Sequence, residues 1–461
     1  MPSIPLGQSA YNRDAIGLPE NELINLYIED DGSGSDADAT AKLHLQRPGL
    51  VHYANTAGAT RAMYQMDGVQ GGLTFVAAGS ELQSITATAT TTIAAIANDG
   101  KSAAFAAAFD KLALASGGLL YFLNAGVLTN IAIPDANTDP VSRCAIDVTS
   151  IANYIIVACP DGRWFFIPPG VYDLTTGTNA LNFYTAESAA DGLVACHTLN
   201  DELYLFGTAT VEVWQATGSG TDPFQRAPGR NFSRGCLSAE SVQIVDNTLF
   251  WVGDNNVVYR AAAVPQRVST FSIEEHIQKR SGDVSAFTYS IDAHEFYCLK
   301  IPGRGTFSYD AATKGWSRLK SYGAVEFTPA YSVFTNDGWL VGDTVSGTVL
   351  RMDRTAATDN GQPIERVTTA IVPIPSRRSV RNDSVSINVG SSAACSYRLR
   401  WHDGQTPYPA TYRTLPARSG ADILTSYRLG AGSESYRVFE VSIVDPVIVR
   451  ISSMTANEAF D

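Results

Sequence analysis

The sequence predicts a mainly β protein: a β-propeller of about seven blades, followed by an additional C-terminal β-rich region. Three observations carry this. A short aromatic-rich strand recurs through the middle of the chain, the repeat length suits a four-stranded blade, and the composition is poor in charge and rich in turn formers. Of the 461 residues 45% are hydrophobic and 17% charged, with 38 Gly and 21 Pro. Such a balance suits a globular chain with many turns and argues against long surface helices.

The recurring strands read Leu73-Thr74-Phe75-Val76, Leu119-Leu120-Tyr121-Phe122, Tyr154-Ile155-Ile156-Val157, Leu203-Tyr204-Leu205-Phe206, Leu249-Phe250-Trp251-Val252 and Phe296-Tyr297-Cys298-Leu299, with a weaker Gly338-Trp339-Leu340-Val341. With Phe75, Tyr121, Ile155, Tyr204, Phe250, Tyr297 and Trp339 as markers, the steps are 46, 34, 49, 46, 47 and 42 residues. A four-stranded blade takes roughly 40 to 50 residues, so only the second step is short. Each run is too short for a core helix and is enriched in aromatic and β-branched types. Several are followed by Gly and a second run, as in Leu203 to Gly207 before Val211-Glu212-Val213-Trp214, which is hairpin grammar. One small sheet cannot bury both faces, so neighbouring blades must cover each other and a closed ring removes the end blades.

Boundaries follow composition. Residues 1–50 read as an N-terminal arm and first strand region, with Asp30-Asp31-Gly32-Ser33-Gly34-Ser35-Asp36 an acidic loop or arm. Residues 51–353 form the propeller. Residues 354–461 form a C-terminal β-rich domain or return strands, on the alternation of Val385-Ser386-Ile387-Asn388-Val389 and of Val438 to Val444. One helix interrupts the pattern at Ser272 to Lys279, with Ser272 as a cap and Ile273 and Ile277 four apart.

The net charge of −13 does not steer the surface onto duplex nucleic acid, though it permits DNA to pass through an assembled ring. The six Cys lack metal spacing, and Cys144, Cys159, Cys196 and Cys298 read as buried reduced thiols. The six His are scattered and structural, so no metal and no cofactor is expected. Asp201-Glu202, Asp254 and Asp292 sit beside aromatic strands, where glycosidases carry acid and base groups, but turn Asp equally serves the local backbone. Phosphate-binding glycine motifs and nucleophile elbows are absent, and the expectation is no catalytic residues and no enzyme. Trp214, Trp251, Trp316 and Trp401 suit packing between blades better than sugar stacking. Basic residues group as Arg226, Arg230 and Arg234 and as Arg377-Arg378 with Arg381; Arg377, Arg378 and Arg381 are the candidate assembly contacts. Met1 to Pro5 lack the features of a signal peptide, and no apolar stretch is long enough for a membrane span, which predicts folding in a reducing cytoplasm.

An ordered set of short motifs resembles one family. It includes Tyr11-Asn12-Arg13, Glu22-Leu23-Ile24-Asn25-Leu26-Tyr27, Arg47-Pro48-Gly49-Leu50, Leu203 to Trp214, Gly235-Cys236, Val268 to Glu274 and Tyr309-Asp310 before Trp316. Near the end come Tyr427-Arg428-Leu429-Gly430, Tyr436-Arg437-Val438-Phe439 and Asp445-Pro446-Val447. The whole resembles the packaged-DNA stabilisation proteins, or tail accessory factors, of short-tailed bacteriophages. The resemblance implies a homo-oligomeric tail hub, expected to be a hexamer, in the virion tail and made in the host bacterial cytoplasm. Implied partners are the portal-adaptor ring above, a distal needle or nozzle below, and enclosed double-stranded DNA bound without sequence specificity. The implied task is to extend the DNA channel, stabilise packaged DNA and form part of the ejection conduit. The acidic tract at Asp30 to Asp38 and the segment from Arg400 to Ile423 depart from the family pattern, which leaves the distal partner open. The alternative reading is a carbohydrate-binding or depolymerising propeller.

Overall fold

Short runs with alternating burial pair with their chain neighbours through tight turns, and the result is a ring of small antiparallel sheets. A computed structural model describes residues 3–4, 6–11, 21–30, 42–108, 111–134, 144–175, 179, 181–186, 191–220, 222–373, 380–404, 406–432 and 436–460. Blade 1 runs from Thr60–Tyr64 to Thr90–Ala95, blade 2 from Ala104–Ala108 to Val127–Ile131, and blade 3 from Asp147–Ile151 to Phe183–Thr185. Blade 4 runs from Leu193–Leu199 to Phe224–Phe232, blade 5 from Gln243–Val245 to Gln266–Arg267, and blade 6 from Ser285–Ile291 to Trp316–Leu319. Blade 7 takes three strands from Pro329–Thr335 to Thr348–Asp353 and its fourth, Gly49–Asn55, from the other end of the propeller sequence. That pairing locks the ring.

The predicted propeller is therefore present, and seven is its blade number. Each junction between blades has its own buried cluster, as the packing logic requires. Leu82 and Leu112 share the cluster between blades 1 and 2, and Phe122 and Phe165 share the one between blades 2 and 3. Trp164 meets Trp214 at the next junction, then Phe206 meets Trp251, and Phe250 stacks on Tyr297 with centroids 5.4 Å apart. Phe296 and Val341 share the cluster between blades 6 and 7, while Leu340 and Val76 share the one that returns to blade 1.

Six of the seven markers lie in the second strand of a blade. Tyr121 does not: it belongs to the third strand of blade 2, Leu119–Asn124. The second strand there, Lys111–Ser116, is wholly buried but carries Leu, Ala and Ser where its counterparts carry aromatic rings. The short step from Tyr121 to Ile155 has this cause.

The helix is Phe271–Gln278. Its cap is Thr270, whose side chain accepts from the Ile273 N–H, and Ser272 lies inside it. Ile273 and Ile277 are fully buried between blades 5 and 6. Cys196 and Cys298 are buried free thiols, whereas Cys144 and Cys159 are paired in a disulfide with Cα atoms 4.8 Å apart. The correction follows from topology: both sit beside the hairpin that opens blade 3, at the ends of its first two strands.

Beyond the ring, two sheets pack face to face. The first contains Leu23–Ile24, Arg366–Pro373, Tyr436–Ile443, Cys395–Asp403 and Arg413–Ala417, and Leu23–Ile24 also lies parallel to the last strand of blade 6. The second contains Leu26–Asp30, Lys42–Gln46, Val449–Phe460, Val380–Ser391 and Gly420–Gly432, with Ser3–Ile4 alongside Val449–Phe460. Val385, Ile387 and Val389 of the second sheet share one buried core with Tyr397, Leu399, Phe439 and Val441 of the first. A single nine-stranded sheet thus runs from blade 6 into this sandwich.

Candidate functional site: the ring axis and the assembly surfaces

The first strand of every blade faces the ring axis, where it encloses a cavity of about 300 Å³. Its lining includes Met63, Phe105, Asp147, His197, Gln243, Phe287 and Tyr331, one residue from each blade. A space of that size holds roughly ten waters at about 30 Å³ each. A DNA duplex, whose major groove alone is about 12 Å wide, does not fit. The axis of one propeller is no DNA channel.

Most polar groups around the axis join neighbouring blades. The Asp147 carboxylate accepts from the Cys196 N–H at 2.8 Å and from its own neighbour Val148 at 2.9 Å. Thr149 donates to Thr198 at 3.2 Å, so two contacts tie blade 3 to blade 4. Gln243 donates to the Ala286 carbonyl, and Ser332 donates to the Thr288 carbonyl at 2.6 Å. Tyr331 of blade 7 donates across the cavity to Glu240 at 3.3 Å.

Asp147 and His197 are the titratable pair at the axis, 3.9 Å apart. His197 keeps 30% of its side chain open to the cavity, yet the ring surrounds it. Burial pushes Asp147 up to about 7 against its backbone hydrogen bonds, and pushes His197 down to about 4. Between those values neither is charged. Sequence reading missed this pair, and the available signal was a polar residue placed among the apolar ones of two successive first strands. Among the described residues no group of three or more His, Cys, Asp or Glu could hold a metal ion.

The carboxylates singled out from the sequence serve turns and ion pairs. Asn200 and Asp201 form a hairpin turn with φ of 50° and 60°, and Glu202 pairs with Arg230 at 3.0 Å. Asp254 accepts from the Gly235 N–H at 3.1 Å, and Asp292 pairs with Arg354. These four residues do not converge on a cleft. Trp214, Trp251 and Trp316 are buried between blades, and Trp401 lies under Arg413 with the guanidinium carbon 4.5 Å from its ring. Of the blade 4 arginines, Arg226 pairs with Glu212 and Arg230 with Glu202, while Arg234 is exposed.

Of the assembly candidates, Arg377 and Arg378 lie outside the described residues. Arg381 lies on Val380–Ser391, where its backbone pairs with Ala431 and Ala459. Nearby, the edge strand Gly420–Gly432 exposes Ile423 and Tyr427 at 67% each.

The family model described as "Bacteriophage P22 Gp10, beta-propeller", of phage stabilisation proteins, matches residues 35–357, a span that includes all seven blades. The chain belongs to this family. Membership in the phage stabilisation family makes its general role that of a structural protein of bacteriophage tails and DNA stabilisation, not that of an enzyme. The sandwich lies mostly beyond the matched span. Among solved structures, the chain is similar to the computationally designed Ika8 protein, at 12% identity and a TM-score of 0.41, covering 72% of this chain and 99% of that one. It is similar to the WD40 β-propeller domain of Doa1 at 8% identity and 0.42, covering 66% and 96%. With the extracellular domain of the one-component system BT4673 from B. thetaiotaomicron the values are 9% and 0.46, covering 95% and 65%. No curated protein sequence matches the chain. No helix among the described residues is long and apolar enough to cross a membrane.

Proposed function

We propose that this protein is a tail hub subunit that attaches below the portal-adaptor ring, extends the DNA channel, stabilises packaged DNA and forms part of the ejection conduit. The observation that carries the reading is the phage-stabilisation family match across the whole propeller. The geometry adds one constraint. An axial space of about 300 Å³ excludes DNA from the propeller itself, so a conduit has to lie between copies. Six copies around the exit axis are the expected arrangement, with Arg377, Arg378 and Arg381 contributing to subunit contacts and a needle or nozzle on the distal side. At a net charge of −13, such a ring contains DNA by shape, with weak local contacts. The protein is made in the host cytoplasm and works in the virion tail.

A carbohydrate-binding reading needs exposed stacking platforms, and three of the four candidate indoles are buried. Cryo-EM of intact particles tests the hub reading, because copy number, position and neighbours appear together. Six copies on the DNA axis next to the adaptor ring are expected. A peripheral position away from that axis overturns it.

A further inference from the structure

The charged lining of the axial cavity has one sign. Asp147 of blade 3 and Glu240, which leads into blade 5, both line it, and no Lys or Arg does. Arg61 lies close enough to Tyr331 to act on its phenol, but its guanidinium already donates to the carbonyls of Gly79, Ala97 and Lys101 and pairs with Asp99. His197 adds no charge near neutral pH, because burial pushes it down to about 4. Met63 of blade 1 and Phe105 of blade 2, both half-buried, add apolar surface. At about 300 Å³ the space lies at the small end of the range for small-molecule sites. Ile146 lines it and is 36% exposed, so solutes reach it from the end where the chain enters the blades.

The same lining is short of donors. Each Asp147 oxygen accepts one backbone N–H, from Val148 or Cys196, and a carboxylate offers about four acceptor sites. Glu240 accepts from the Tyr331 hydroxyl on one oxygen and, among the described residues, from nothing on the other. Gln243 donates to the Ala286 carbonyl, while its own side-chain oxygen accepts from nothing among the described residues. His197 makes no hydrogen bond among the described residues, since Asp147 at 3.9 Å is beyond hydrogen-bond reach. Free acceptor sites therefore exceed free donors. An enclosed polar group without a protein partner is normally satisfied by water or a ligand, and the occupant that suits this set brings donors.

We propose that the axial cavity binds a short aliphatic diammonium, with one ammonium at Asp147, the other at Glu240, and the hydrocarbon link against Met63 and Phe105. Charge selects the class. An anion meets two carboxylates and no cation, and a metal ion finds no group of three ligands among the described residues. An ammonium brings three donors to a lining rich in free acceptors, and its hydrogen bonds to carboxylate are of the strong, charge-assisted kind. The two carboxylates stand on elements two blades apart, which calls for two ammonium groups joined by a short link. The inference is independent of the hub reading, and either can fail without the other.

The test uses the full chain and putrescine as the probe, beside butanediol and succinate, which keep the four-carbon skeleton without its cations. Titration calorimetry at about pH 8, where Asp147 is ionised, and in about 0.15 M salt limits loose counterion binding. It should show one saturable site for putrescine, at least about tenfold tighter than butanediol, and no binding of succinate. Glu240→Gln keeps an acceptor for Tyr331 and should weaken putrescine about tenfold at an unchanged melting temperature. Asp147→Asn should weaken it as much. Met63→Trp leaves both carboxylates in place but fills the cavity, and should abolish binding even where Asp147→Asn fails to fold. Absence of saturable binding at millimolar putrescine overturns the proposal, as does equal affinity for butanediol. Binding that Glu240→Gln and Met63→Trp leave unchanged also overturns it, by putting putrescine on the acidic outer surface.

Discussion

Arg47 is 1% exposed and satisfies its guanidinium completely. It donates to both Asp359 oxygens at 2.9 and 2.6 Å, to Asn25 at 2.9 Å and to the Pro48 carbonyl, and lies 4.4 Å over the Phe327 ring. Removing one member of such a buried pair leaves the other charge without compensation. Arg47→Met is expected to cost about 3 to 5 kcal/mol in urea unfolding, and adding Asp359→Leu should recover part of the loss. A second buried residue makes a prediction about pH. His44 meets Thr368 at 3.1 Å through Nδ1, while its Nε2 has no partner among the described residues. Burial, helped by the Lys42 charge, pushes it from 6.5 down to about 4. The unfolded chain therefore takes up this proton first as pH falls. The stabilising contribution is present above about 6.5 and is lost as pH drops toward 4. His44→Asn should make stability less steep in pH across that window by up to about 1.4 kcal/mol per pH unit, read from urea midpoints at each pH.

At the scale of the element, glycine decides how closely one blade approaches the next. A Cβ at Gly235 would lie 2.1 Å from the Thr208 carbonyl oxygen and 2.5 Å from the Ala209 nitrogen, both backbone. Gly235→Ala must move the blade 4 turn away from the entry to blade 5, and a loss of about 1 to 3 kcal/mol is expected by thermal unfolding. The Gly235-Cys236 motif that helped identify the family is thus a packing device. The same scale shows what the sequence made legible. Aromatic second strands marked six blades because each ring fills a junction, as Phe250 does against Tyr297. Blade 2 escaped because Lys111–Ser116 fills its junctions with Leu and Ala. Closure of blade 7 by Gly49–Asn55 was hidden for another reason: it pairs Leu50 with Met352, and no local pattern reports a partner about 300 residues away. The axial pair shares that difficulty. Asp147 and His197 sit on different blades, 50 positions apart in the chain.

At the scale of the whole molecule, the question is whether ring and sandwich unfold together. The connection rests on Asn25, which is fully buried in a left-handed conformation with φ of 55°. Its amide nitrogen donates to the carbonyls of Lys320 and Glu365 at 2.9 and 2.7 Å, and its oxygen accepts from the Lys320 N–H and from Arg47. Lys320 immediately follows the last strand of blade 6, Glu365 immediately precedes the first sheet of the sandwich, and Arg47 leads into the strand that closes blade 7. One side chain therefore joins the link between blades 6 and 7 to the two places where the chain enters and leaves the ring, beside the two residues, Leu23 and Ile24, that make the sheet continuous. An asparagine suits the position twice over, since it tolerates the left-handed region and offers two donors and two acceptor sites. Asn25→Leu keeps roughly the side-chain volume but takes a donor from the Lys320 and Glu365 carbonyls and an acceptor from the Lys320 N–H and Arg47, at about 1 to 3 kcal/mol for each group left unsatisfied. Its branched side chain also disfavours the backbone conformation. The unaltered protein should melt in a single calorimetric transition, because the nine-stranded sheet transmits the loss of either half to the other. The Asn25→Leu protein should show two, with the sandwich and the ring uncoupled. A single transition in the variant at the temperature of the unaltered protein would show that the continuous sheet alone holds the two parts together.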